Sequence, residues 1–127
     1  MNYETKRQQT QYTSEDYAIA HRVVGHTLLN GGGTFTRNGC PVTPESGYAV
    51  ALEGQRYAEF PQVGPALELL SRVSYSAEYF GTWYDSGRLY VEPCEIIADR
   101  ESAVRIGRER GQLAIYDFAA GEVITLA

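Results

Sequence analysis

The chain is poor in the residues that carry most enzyme chemistry. Two histidines, two cysteines, one tryptophan and one lysine are spread over 127 residues. Cys40 and Cys94 stand far apart with no second thiol near either, which excludes a disulfide framework and a zinc site of paired cysteines. His21 and His26 are five apart, about 140° around a helix axis, and do not share a metal as an i,i+4 pair would. There is no G-x-S-x-G elbow, S-x-x-K pair or H-E-x-x-H helix. No catalytic residue, metal ligand or cofactor is therefore assigned from sequence. A site assembled across space stays open.

Long apolar runs are missing as well. None reaches the roughly 18 residues of a membrane helix. The opening MNYETKRQQTQYTSEDY has no apolar stretch behind Lys6-Arg7, unlike a secretory signal. The expectation is a cytoplasmic protein with two reduced thiols and no membrane association. Cys94 is flanked by Glu92 and Glu95, which would raise its pKa, and both cysteines read as semi-buried packing residues.

What the sequence does contain is an ordinary globular composition, 43% hydrophobic and 21% charged, in a length that suits one domain. The net charge is −5, from 16 acids against 11 bases. Ten of the acids fall between Glu45 and Glu101, so non-specific nucleic-acid binding is not expected.

The spacing of Tyr17, Ala20, Val24 and Leu28 predicts a helix over 14–30, capped by Ser14 and ended by Asn30 and Gly31-Gly32-Gly33. Those glycines follow a helix instead of preceding one, which is the wrong order for a phosphate cradle. A short strand at 34–37 leads to the turn Asn38-Gly39. Residues 47–53 and 56–60 read as a hairpin around Gly54-Gln55. A second helix begins near Gly64-Pro65 and a second hairpin turns at Ser86-Gly87. Asp99 caps a third helix over 100–110, where Glu101, Arg105 and Glu109 form i,i+4 pairs and Gly107 permits close packing. A last strand pair brackets Ala119-Ala120-Gly121. The fold expected is α+β, an antiparallel-rich sheet built from hairpins with about three helices, in one compact domain over 1–127 with 1–12 as a flexible arm.

The elements Gly81-Thr82-Trp83-Tyr84-Asp85, Tyr90-Val91-Glu92-Pro93, Asp99-Arg100-Glu101-Ser102-Ala103, Gly107-Arg108-Glu109-Arg110-Gly111-Gln112 and Ala114-Ile115-Tyr116-Asp117 resemble small uncharacterised accessory proteins of actinobacteria, their phages and mobile elements. The likeness covers residues 79–124 and carries over no catalytic residue. It implies a short accessory gene, a class that includes anti-CRISPR and anti-restriction inhibitors of host defence.

The function expected is a non-catalytic protein that binds a protein partner, with a small-molecule binder or enzyme having its site between helices and sheet as the alternative. A structural oligomer is a third possibility. If the 79–92 hairpin turns at Ser86-Gly87, Phe80, Thr82, Tyr84, Leu89 and Val91 share a core-like face. Tyr79, Trp83, Asp85, Arg88, Tyr90 and Glu92 share the other, and Tyr79, Trp83, Asp85, Arg88 and Tyr90 are the candidate partner-binding residues. The competing expectation is that the N-terminal helix or arm covers these rings.

Overall fold

Ten-residue strand β5 (Arg88–Ile97) organises the molecule, because three other strands pair with it. β4 (Tyr79–Asp85) runs along its first seven residues, while β3 (Arg56–Ala58) and β2 (Tyr48–Ala51) share its other side end to end. β1 (Gly32–Thr36) extends the sheet beyond β4, and β6 (Ala114–Asp117) and β7 (Glu122–Thr125) extend it beyond β2. Every pairing is antiparallel. Helices α1 (Ser14–Asn30), α2 (Val63–Val73) and α3 (Arg100–Glu109) complete an α+β fold with a curled sheet. The structure, a computed structural model, describes residues 12–53, 56–58, 62–73 and 77–126. No helix among them is long and apolar enough to cross a membrane.

The local rules that set the helix ends are visible in their caps. Thr13, not Ser14, is the N-cap of α1: its side chain accepts from the Asp16 N–H, and the Asp16 carboxylate accepts from the Thr13 N–H. This reciprocal box satisfies two amides that would otherwise lack partners. Gly31, at φ 82°, closes the helix in the left-handed region that glycine adopts without strain. Asp99 caps α3 through the Ser102 amide and hydroxyl, which hold its carboxyl below its ordinary pKa. Tyr12, expected in the frayed arm, packs partly buried on the core and edge-on to Tyr17. The remainder of that arm lies outside the described residues.

The expected hairpin between residues 47–53 and 56–60 does not form. β2 and β3 run in the same direction along β5, with Ala51 opposite Cys94 and Arg56 opposite Val91. The ladder along β5 is therefore interrupted between β2 and β3, opposite Glu92 and Pro93. Pro93 explains its position. Its carbonyl accepts from Leu52 N, so its ring nitrogen, which has no proton, also faces the interruption. Proline is tolerated inside a sheet at such an interruption and not beside a regular partner. Gly54-Gln55 themselves lie outside the described residues.

The Ser86-Gly87 hairpin forms as expected. Both turn residues have positive φ, 51° and 79°, the requirement of the tight turn that matches strand twist. The register that follows pairs Asp85 with Arg88, Tyr84 with Leu89 and Trp83 with Tyr90.

All three helices cover one face of the sheet. Phe35, Phe80, Leu89, Val91 and Ala58 point to α1 and α2, forming one buried cluster with Val23, Val24, Leu67 and Leu70. Phe35 and Phe80 stack at 5.3 Å, an arrangement worth about 0.5–1.5 kcal/mol beyond burial of area. A second cluster under α3 joins Val50 and Ile115 to Ala103 and Leu126. Gly107 lets α3 approach this closely: a Cβ there would lie 2.6 Å from Leu126 Cδ1. Among the polar groups on this face, the Thr27 and Thr82 hydroxyls bond at 2.6 Å, buried between α1 and β4.

Candidate functional site

Side chains alternate along a strand, so the face opposite the helices is fixed by the same register. It carries Trp83 and Gly81 from β4, Tyr90, Glu92 and Cys94 from β5, Ala49 and Ala51 from β2, and Ala114 and Tyr116 from β6. The curl of the sheet turns this face into a trough of about 940 Å³. Small residues make its floor, with Ala51 opposite Cys94 and Gly81 opposite Glu92. Aromatic rings rise on either side, Trp83 and Tyr90 from one row and Tyr116 with Phe118 from the other.

The first of these rows is continuous across strands. Trp83 pairs with Tyr90, and Tyr90 pairs with Tyr57 on β3, their ring centroids 5.6 Å apart. Arg88 ends the row with its guanidinium 4.5 Å above the Tyr57 ring. Beyond Trp83, Gly32 leaves the space that the indole occupies; a Cβ at Gly32 would meet Trp83 Cε3 at 2.7 Å.

Charge inside the trough is sparse. Glu92 is the sole carboxylate residue lining it among the described residues. Arg110 also lines it, but its guanidinium is engaged by Glu95 at 3.2 Å and by the Ala51 carbonyl at 3.2 Å. That tether fixes the end of α3 to β2 and β5. Arg108 likewise reaches the Leu126 carbonyl, so these arginines anchor the helix to the sheet, whereas Arg105 pairs with Glu109 in solvent.

Cys94 lies on the floor, buried, and its thiol is pushed up to about 12 by burial first and then by the charges of Glu92 and Glu95. A neutral thiol of that kind is a poor nucleophile at ordinary pH. Cys40, read from sequence as semi-buried, is exposed. Among the described residues there is no cluster of three or more histidine, cysteine or carboxylate side chains placed to hold a metal ion.

Of the five candidate residues, Trp83 and Tyr90 line the trough. Tyr79 shares the face, half-buried beside Cys94. Asp85 and Arg88 sit at the hairpin tip, outside the trough. Helix α1, one of the two expected covers for the rings, lies on the opposite face of the sheet, and Trp83 is 47% exposed. The other, the arm, lies outside the described residues apart from Tyr12. A site between helices and sheet finds a cleft of about 90 Å³ there, against the far larger hollow on the opposite face. Sequence reasoning missed Tyr57, Tyr116 and the alanine floor. Alternation within β2 and β6 was the available signal, but only the strand order brings them beside Tyr90.

No protein-family model, curated protein or solved structure matches the chain. Its chemistry rests on this geometry.

Proposed function

We propose that this protein is a non-catalytic binding protein that holds a protein partner on the concave face of its sheet, opposite the helix-packed core. One observation carries the reading: the sheet face opposite the helix-packed core curls into a trough of about 940 Å³, edged by His26 and Asn30 at the end of α1, and lines it with exposed aromatics over a floor of small residues. Rigid aromatic rings give large contact area at low entropic cost, which is why they dominate binding hot spots. The resemblance of residues 79–124 to accessory proteins supplies the setting, in which the partner is a host-defence protein and binding inhibits it. A cytoplasmic location follows from the same setting.

The small-molecule alternative is favoured by the volume alone, which lies within the usual range of roughly 300–1,000 Å³ for ligand pockets. A ligand of that size would occupy the concave face, not the helix–sheet interface.

Gly81 supplies the test. A Cβ there meets nothing closer than the Gly33 carbonyl at 3.8 Å, so Gly81→Val fits the backbone while filling the trough. Wild type, Gly81→Val and the remote surface variant Leu29→Ser serve as bait in an actinobacterial lysate, with captured proteins quantified by mass spectrometry. The reading expects a protein retained by wild type and Leu29→Ser and lost with Gly81→Val. Equal capture by all three sinks it. A small molecule carried by wild type alone in native mass spectrometry favours the alternative.

A further inference from the structure

We propose that β7 is a self-association edge: two copies of this chain join their β7 strands antiparallel about a two-fold axis, so that one sheet runs through both. The inference is independent of what the trough holds.

The strand order β1-β4-β5-β2-β6-β7 ends in two edge strands that are treated differently. β1 is covered by its own chain, because Thr36 N–H donates to the Cys40 carbonyl and Val42 N–H to the Thr34 carbonyl. β7 is open. Leu126 N–H donates to the Leu113 carbonyl, so Glu122, Ile124 and Leu126 turn their backbone groups toward β6. The alternate residues, Val123 and Thr125, turn theirs outward, and no hydrogen bond reaches them among the described residues. An open edge is ordinarily blunted by a lysine, a proline or a bulge, and β7 has none of these. Val123 is instead an apolar side chain, 50% exposed.

A two-fold pairing uses all the outward groups in one register. Val123 stands against Thr125 of the second copy, and Ile124 meets its own counterpart at the axis. Sliding the strands by two residues either way pairs Val123 or Thr125 with a residue outside the strand. Helix α3 leaves room, since it packs over β2 and β6, inward of β7. Ile124, only partly buried at the margin of the cluster under α3, gains cover from the second copy.

Charge complementarity selects the same occupant. In this register Leu126 faces Glu122 of the second copy, on the helix side of the sheet. Arg108 stands at that place, its Nε donating to the Leu126 carbonyl at 3.4 Å, and its terminal nitrogens have no partner among the described residues. Glu122 lies opposite Asp117, and it is Asp117 that has Arg100 at 3.9 Å. Like charges opposite each other weaken a strand pair, so a cation supplied to Glu122 from outside relieves the contact. The two-fold axis brings Arg108 to Glu122 at both ends of the junction.

Sedimentation equilibrium of the full chain over roughly 5–500 μM, a range suited to a small edge-strand interface, should show the mass rising from one chain toward two. Thr125→Pro removes an outward N–H and none that bonds β6, and it should remain a monomer. Gly81→Val, which fills the trough, should associate as wild type does. Arg108→Glu and Glu122→Arg should each weaken association by about tenfold. Mixed in equal amounts, these two variants should associate again, because each junction then joins a glutamate to an arginine. Mixing cannot repair a contact made within one chain. A wild-type protein that stays a monomer at the highest concentration overturns the proposal without recourse to any variant. Association that survives Thr125→Pro, or a mixture no stronger than its components, overturns it as well.

Discussion

Replacing Gly25 and Gly107 by alanine makes the same chemical change in two helix interiors, and the structure gives the two opposite signs. Gly25 lies on the exposed side of α1, and a Cβ there meets nothing within 4 Å. Gly25→Ala should therefore return the intrinsic helix preference, about 0.8–1 kcal/mol of added stability. At Gly107 the new methyl would stand 2.6 Å from Leu126 Cδ1 and 3.2 Å from Ile115 Cγ2. Carbon atoms rest at about 3.5–4.0 Å, so Leu126 must retreat by roughly 1 Å inside a cluster that also holds Val50 and Ala103. Overpacking of this kind costs about 1–3 kcal/mol, which exceeds the helix gain. The expected net is a loss on the order of 1 kcal/mol for Gly107→Ala. Urea unfolding of both variants reads the difference as midpoint shifts of opposite direction at unchanged slope. Leu126→Ala, which empties the space, should relieve the clash, so the double variant should be more stable than the sum of its parts. If Gly107→Ala stabilises as much as Gly25→Ala, α3 does not lie this close to the sheet and the reasoning fails.

Thr27→Val leaves the Thr82 hydroxyl buried without its partner and should cost about 1–3 kcal/mol, while the double valine variant recovers most of it; equal losses from single and double variants would contradict the pairing. Thiol titration of the native protein should label Cys40 quickly and Cys94 only on unfolding. The folded Cys94 pKa of about 12 exceeds the ordinary 9.0, so its contribution is complete below pH 9. It is lost as pH rises toward 12, with a slope of up to about 1.4 kcal/mol per pH unit that Cys94→Ala removes from the denaturation profile. Gly81→Val should match or exceed wild-type stability by up to about 1 kcal/mol, because it adds a strand-forming residue where a Cβ fits; a clear loss in thermal unfolding would mean that the trough floor is already filled.

The sequence by itself determined what local geometry controls. Two consecutive positive-φ positions at Ser86 and Gly87 set the hairpin register, and strict alternation then divided Leu89 and Val91 from Trp83 and Tyr90. The three helices were legible from apolar spacing and from stop signals such as Gly31 and Gly111. Gly107 announced its close contact by standing in an otherwise ordinary helix. Tertiary structure decided the rest, because it depends on partners distant in the chain. The turn signal at Gly54-Gln55 was overruled by β5, which is long enough to pair β2 and β3 in line and interrupts them at Pro93. Alternation marked Trp83 and Tyr90 as lying off the core face, but not whether anything covered them. That was settled among the described residues when Phe35, Val50 and Ile115 all turned the same way and took the three helices with them. The trough follows from the order β1-β4-β5-β2-β6-β7, which sets Tyr116 and the alanines of β2 across from the β4–β5 aromatics. No local pattern encodes that order; it is chosen by which strands can bury their apolar faces together under the helices.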